Sequence, residues 1–195
     1  MAEGHGKDGI HSSVDDRIIR ATLSLIAENG LGAATMLQIA ENAGIARQTL
    51  YNHYPDVDTI VTEAIGRHNR ESIELLESSL RVVDQPEDKL EQLVRHVVSI
   101  AAHAHHAPGI ERGLSAAARA TLSEQDDALN RNISVILEEG QRSGAFRHDL
   151  SPEIDAILLR HMLNGLAEKS AASPNDAATL ATAGTRTIHA AVGKH

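Results

Sequence analysis

The sequence predicts an all-α protein, and three observations carry that expectation. The apolar residues are mostly Ala, Leu and Ile, with only three aromatics, Tyr51, Tyr54 and Phe146, whereas sheets favour aromatic and β-branched side chains. Apolar positions recur at the 3.6-residue helical period in one segment after another. Proline, glycine and capping residues fall between those segments, where helices must stop and start. The chain has 195 residues, 42% of them hydrophobic, enough for one large or two small domains with a real core. It contains no cysteine, which excludes disulfides and thiolate metal sites. With neither a leading apolar stretch of signal-peptide type nor a bilayer-length run, the expectation is a cytoplasmic protein without membrane contact.

Residues 1–12, rich in Gly, His and polar groups, read as a flexible N-terminal tail. A helix is expected from Val14 to Glu28, with Ile18, Ile19, Thr22, Leu23 and Ile26 inward and Asn29-Gly30 ending it. Residues 35–54 read as two short helices joined by a tight turn. Pro55-Asp56 breaks the chain, and Asp56 or Asp58 caps a long helix over 57–82 whose inner face is Ile60, Ala64, Ile65, Ile73, Leu76 and Leu80. Pro86 opens a helix to His105, with Leu90, Leu93, Val94, Val97, Val98 and Ala101 inward. After Pro108-Gly109 a shorter helix carries Ile110, Leu114 and Ala118. Ser123 with Asp126 signals a new cap, opening a helix to Arg142 with Leu129, Ile133, Ile136 and Leu137 inward. Ser143-Gly144 closes it. Ser151-Pro152, a cap and a first-turn proline, begins a helix to Ser170, and the last helix spans Asp176 to Val192. The total is about nine helices. The domains expected are an N-terminal three-helix unit at 13–56 and a larger helical unit at 57–195.

The pair of short helices holds the most chemistry. Thr35 can cap the first, with Gln38 three residues on to complete a capping box. Ile39, Ala40 and Ala43 form an apolar stripe, Gly44 supplies a positive φ at the turn, and Ile45 fills the angle between the helices. Leu50 anchors the second helix from beneath. The rest of that helix is Arg47, Gln48, Thr49, Tyr51, Asn52 and His53, a row of donors and acceptors suited to the major groove of duplex DNA. Net charge opposes this at first sight. It is −9 overall, and the first 56 residues hold four bases (Lys7, Arg17, Arg20, Arg47) against seven acids (Glu3, Asp8, Asp15, Asp16, Glu28, Glu41, Asp56). DNA affinity must then come from local donors and dimeric avidity rather than from a basic surface.

Arg17 through Gly30, Thr35 through Tyr54, and Pro55-Asp56 together resemble the TetR family of bacterial transcriptional regulators, with Ala40, Gly44, Thr49, Leu50, Tyr51 and Tyr54 as the specific part. Gly144-Ala145-Phe146 and Leu150-Ser151-Pro152 look like the family's approach to its eighth helix. The resemblance implies a homodimer that places two N-terminal domains on a palindromic operator, with C-terminal helices forming an effector pocket and the dimer interface. It implies Arg47, Gln48 and Thr49 at base edges, and Tyr51, His53 and Thr35 at phosphates; Tyr54 falls at an aromatic core position. Two departures stand out: Ala46 cannot cap the second helix where the family often has serine, and Val57 stands where a phosphate-contacting lysine is frequent.

Twelve histidines are many for this length. His96 and His103 are two turns apart on one helix face, His103 and His106 three residues apart, and His161 lies between Leu158 and Leu166 on a face expected to turn inward. One reading is a metal site for Zn(II), Ni(II) or Cu(II); others are surface residues, or imidazoles that orient a small organic effector. No His-Glu-x-x-His spacing occurs, and no metal or other cofactor is assigned. The effector pocket is expected to be lined by His96, Ile100, His103, Leu114, Ile133, Leu137, His161 and Met162. The last helix carries a stripe of small residues, Ala177, Ala181, Gly184, Ile188 and Ala191. By itself the stripe fits a core face or a dimer face equally; the family resemblance favours a homodimer through helices 152–170 and 176–192. The sequence has no nucleophile elbow, phosphate loop or paired-carboxylate motif, so an enzyme is not expected. The function expected is an effector-controlled repressor binding a double-stranded DNA operator. The alternatives are a His-rich metal-sensing regulator and a helix-turn-helix dimer acting as a protein-binding module.

Overall fold

The computed structural model describes residues 13–103 and 113–194, without the side chain of His103. The expected tail 1–12, the His103 side chain, His105, His106 and the start of the helix expected at Ile110 lie outside the described residues. Those described form eight α-helices: α1 Val14–Asn29, α2 Met36–Ala43, α3 Arg47–His53, α4 Val57–Leu80, α5 Pro86–His103, α6 Ala116–Ser143, α7 Pro152–Ala172 and α8 Ala177–Val192. The only β-type pairing among the described residues is an isolated bridge between Phe146 and Gly193. The all-α class stands as expected, and no described helix is long and apolar enough to cross a membrane.

Helix starts follow local hydrogen-bond chemistry. Ser13 and Asp16 make a reciprocal capping box on α1: the Asp16 N–H donates to the Ser13 hydroxyl at 3.0 Å and the Ser13 N–H to the Asp16 carboxylate at 3.1 Å. Asp56, not Asp58, caps α4, accepting from both the N–H and the hydroxyl of Thr59 at 2.8 Å. Three expected caps differ. Thr35 does accept from the Gln38 N–H, but its own N–H donates to Ala33 O, so the Gln38 side chain takes the Thr35 hydroxyl proton and the box stays open. The Ser151 hydroxyl caps nothing; its N–H instead donates to the Asp155 carboxylate at 2.7 Å. Ser123 starts no helix. Ser115 caps at Ala118 N–H, and the chain runs unbroken to Ser143 because Ala116-Ala117-Ala118-Arg119-Ala120 are strong helix formers with neither Gly nor Pro after them before Gly140. Two expected helices therefore merge into α6, which reduces nine to eight.

The helices build two apolar cores. The first gathers Ile18, Ile19, Leu25 and Ile26 of α1, Ile39 and Ala40 of α2, Leu50 of α3, Ile60 and Ala64 of α4, Leu114 just before α6, and Ala118 in its first turn. The second holds Leu76 and Leu80 of α4, Leu93 and Val98 of α5, Ile133 and Leu137 of α6, Leu163 of α7 and Ile188 of α8. Both α4 and α6 serve both cores. Between the cores α4 buries Asn69 and Ser72, with Asn69 Nδ2 donating to Thr121 O at 3.5 Å and the Ser72 hydroxyl 3.4 Å from His96 Nε2. A thin polar layer thus lies between two mainly apolar ones.

The small-residue stripe of α8 acts within the protomer. Gly184 and Ile188 are buried, and a Cβ at 184 would lie 2.5 Å from Leu166 Cδ1 and 3.2 Å from Val94 Cγ1. These two stripe positions let α8 approach α5 and α7 rather than a second copy.

Candidate nucleic-acid interface

Gly44 makes the turn between α2 and α3 possible. Its φ of +62° lies where a Cβ is penalised. There its N–H reaches Glu41 O at 3.1 Å and the Ile45 N–H reaches Ala40 O at 3.0 Å, closing the end of α2. Ala46 leads into α3 with extended backbone and provides no side-chain cap, as its chemistry requires. Leu50 is fully buried and is the one α3 side chain committed to the core. Arg47, Gln48, Tyr51, Asn52 and His53 are exposed and Thr49 half-buried, while Thr35 is exposed at the start of α2. Gln48 Nε2 donates to Asn52 Oδ1 at 3.2 Å, one turn along, which orders two amides as a pair. Arg47 makes no hydrogen bond or ion pair with the described residues of its protomer. A seven-residue helix with one buried side chain thus presents an outward array of donors and acceptors.

Behind α3 lies a polar cluster that sequence reasoning missed. Tyr54, buried at the end of α3, donates its hydroxyl to Asp15 Oδ1 of α1 at 2.5 Å. Arg67 of α4 pairs one nitrogen with Asp15 and the other with Asp16 Oδ1 at 2.8 Å, and Glu63 stands 3.7 Å away on its own helix. Burial, then the Asp15 carboxylate, push the Tyr54 phenol far above its usual range, so it remains a donor. Burial would raise Asp15, but hydrogen bonds from Tyr54 and Arg67 outweigh it and hold the carboxyl below the ordinary range. Asp16 is also lowered, first by the Ser13 hydroxyl and backbone N–H. Both carboxylates are thus charged at neutral pH and answered by Arg67. Two of the seven acids counted in the N-terminal segment are therefore paired with a cation from beyond it, which moderates the negative field near α3. The signal was present in the sequence as Tyr54, a hydroxyl at a position where a plain aromatic ring would fill the core, and as adjacent acids at the start of α1.

Among the described side chains, the expected effector residues fall in separate surroundings rather than in one site. Leu114 belongs to the first core, beneath α1 and α4, and is apart from Ile133 and Leu137, which are fully buried in the second. His161 is exposed, because α7 turns Ala156, Leu159, Arg160 and Leu163 inward and leaves Ile154, Leu158 and His161 outside. Its inward placement was an error of phase: apolar residues surround α7, so the sequence pattern does not select a face. In place of His161, Arg160 enters, donating to Asn130 Oδ1 at 3.0 Å and Asp126 Oδ2 at 2.9 Å. Ile100 and Met162 are partly buried, and Met162 packs against the second core. Among the described residues no three His, Asp or Glu side chains stand together as a metal site. Two surface grooves, of about 500 and 250 Å³, run past Val82–Arg95 and between Glu77 and Glu139 and include none of the expected effector residues.

His96 is the expected effector residue with a distinctive environment. Burial holds its imidazole below the ordinary value of 6.5, against an opposing contact with Ser72. A ring kept neutral in the fold but free to protonate when unfolded contributes stability fully above that ordinary value, and the contribution is lost as pH falls below it. Lowering the pH from about 7.5 to 5.5 is expected to reduce the urea midpoint more for the wild-type chain than for His96→Gln. Equal reductions would acquit His96.

The geometry defines a helix-turn-helix protein whose second half is a helical bundle around its own core, and sequence comparison agrees. Residues 18–64 match the bacterial regulatory proteins of the tetR family, and residues 83–168 match the tetracyclin repressor-like C-terminal domain. The HTH-type transcriptional repressor KstR2 of Rhodococcus jostii (strain RHA1) is 31% identical over 168 residues, covering 80% of this chain and 76% of that one. Among solved structures, the transcriptional regulator FadR from Bacillus subtilis in complex with stearoyl-CoA superposes with a TM-score of 0.76 at 20% identity, covering 87% of this chain and 95% of that one. A putative transcriptional regulator from Saccharomonospora viridis in complex with choline gives 0.79 at 19%, covering 93% and 98%. The chain belongs to the TetR family and is a DNA-binding transcriptional regulator, not an enzyme.

Proposed function

We propose that the protein is a homodimeric repressor that sets its two α3 helices in successive major grooves of a palindromic operator and is released by an effector that carries an apolar acyl chain. The observation that carries this reading is the outward face of α3, where Arg47 has no partner among the described residues of its own protomer and Gln48 and Asn52 are ordered for contact. Arg47, Gln48 and Thr49 address base edges, with Asn52 on the same helix; Tyr51, His53 and Thr35 address phosphates. The effector occupies the α5–α6–α7 side of the second core, with His96 as the polar end of an otherwise aliphatic site that includes Ile100 and Met162. The stearoyl-CoA of the FadR complex supports an acyl-type effector. The dimer forms through the outer faces of α7 and α8, since Ile154 is 63% and Leu158 57% exposed on α7 with Ile157 between them.

The test is selection of binding sites from random DNA by the wild-type chain, followed by titration of the complex with stearoyl-CoA. A selected palindrome released by micromolar ligand supports the reading; salt-insensitive absence of binding overturns it. For assembly, light scattering is expected to report a dimer mass, and the double change Ile157→Glu with Leu158→Asp a monomer. A monomeric wild-type chain at micromolar concentration would refute the dimer.

A further inference from the structure

We propose that Arg67 is a positioning residue for operator recognition: by gripping Asp15 and Asp16 of α1, and through Asp15 the Tyr54 hydroxyl, it fixes the angle of α3 against α4 and so the half-site spacing the dimer accepts. This rests on the dimeric operator-binding reading above. Apolar contacts between α1 and α4, such as Ile18 and Ile19 near Ile60 and Ala64, hold the helices together but are non-directional. A guanidinium fork shared by two carboxylates is directional, because its planar donors match carboxylate oxygens in a narrow range of placements. The recognition helix is short, held by Leu50 at its middle and Tyr54 at its end. Asp15 is the junction that receives both Tyr54 and Arg67, so α1, α3 and α4 meet at one carboxylate. Its neighbours along α4 place this junction on the path between the halves. A Cβ at Gly66, one residue before Arg67, would lie 3.2 Å from Thr121 Cγ2 of α6, and Asn69, two residues after it, donates to Thr121 O. Any sliding of α4 along α6 therefore displaces the residue that grips α1.

The wild-type chain first selects its palindrome from random DNA, and affinity is then measured on that site and on versions with one base pair added or removed at the centre. One base pair moves the half-sites by about 3.4 Å and rotates one by roughly 35°. The wild-type chain is expected to lose about 100-fold on the altered spacings, because geometry then forbids simultaneous engagement. Arg67→Met is expected to bind the original site more weakly yet discriminate spacing by less than about 10-fold. Arg67→Lys, which keeps charge without the fork, should fall between them. Tyr54→Phe removes a single hydroxyl, and is expected to relax spacing in the same direction even if Arg67→Met fails to fold. A spacing ratio unchanged in Tyr54→Phe and in folded Arg67→Met, with affinity lowered equally on all three sites, would reduce the cluster to a structural brace and overturn the proposal. If the wild-type chain selects no palindrome, the operator reading itself fails, which is a different result from an unchanged ratio.

Discussion

Arg47→Ala is expected to flatten base preference at one position in each half-site, while Tyr51→Phe weakens binding to all sequences alike. An arginine bidentate to guanine gives about 1–3 kcal/mol of discrimination, so two half-sites together give roughly 2–6 kcal/mol. A tyrosine hydroxyl on phosphate contributes about 0.5–1.5 kcal/mol with no sequence information. Arg47 is the cation for this role because the other two at hand are engaged: Arg17 is half-buried with Nη2 toward Gly44 O, and Arg20 already has an interaction of its own. The measurement is fluorescence anisotropy on the selected site and its single-base variants across a salt series. If Arg47→Ala instead lowers affinity uniformly and shallows the log–log salt slope by roughly 0.9 for each phosphate no longer neutralised, then Arg47 binds the DNA backbone and base reading lies with Gln48, Thr49 or Asn52.

The second large effect concerns folding. At Gly140 a Cβ would sit 1.9 Å from Phe146 Cδ2 and 2.3 Å from Cε2, and the ring has little room to retreat. Phe146 is buried, its N–H donates to Gly140 O at 3.0 Å, and the next residue is tied to the C-terminal helix by Arg147 N–H to Val192 O at 2.9 Å. Gly140→Ala is expected to destabilise the fold by about 1–3 kcal/mol or more through overpacking. That corresponds to a melting temperature lower by roughly 2–12 °C. Gly32→Ala, with nothing within 4 Å of its Cβ, is the control and should stay within about 0.5 kcal/mol of wild type. Equal melting temperatures for the two variants would show that Phe146 can repack at no cost.

What the sequence disclosed and what it withheld divide along a physical line. The turn at Gly44, the anchor at Leu50 and the exposed row from Arg47 to His53 depend on neighbours within a few residues, and local chemistry dictates them. The cap at Asp56 was legible for the same reason. The break expected at Ser123 was not real, because a serine and an acid three residues apart resemble a cap wherever they occur, and only the alanine-rich stretch before them shows that no helix needs to start there. The inner face of α7 could not be chosen, since Ile154, Ile157 and Leu158 compete with Leu159 and Leu163 and only tertiary contact separates them. The Asp15–Tyr54–Arg67 cluster joins residues 39 and 52 positions apart, a distance over which no periodicity carries information. The effector half was the least legible: Leu114 reads as a pocket residue from its neighbours yet belongs beneath the N-terminal helices.

The way α4 and α6 are shared has a consequence for any attempt to recombine this protein with its relatives. A cut after residue 56 would strip the reader of Ile60, Ala64, Leu114 and Ala118, leaving Ile18, Ile39 and Leu50 open to water. Such a fragment is expected to aggregate or remain unstructured when expressed alone, and a chimera joined there would inherit a mismatched seam. A functional graft has to carry the opening turns of two later helices along with the first three, so new effector specificities are reached more readily by substitution in place than by exchange of whole parts.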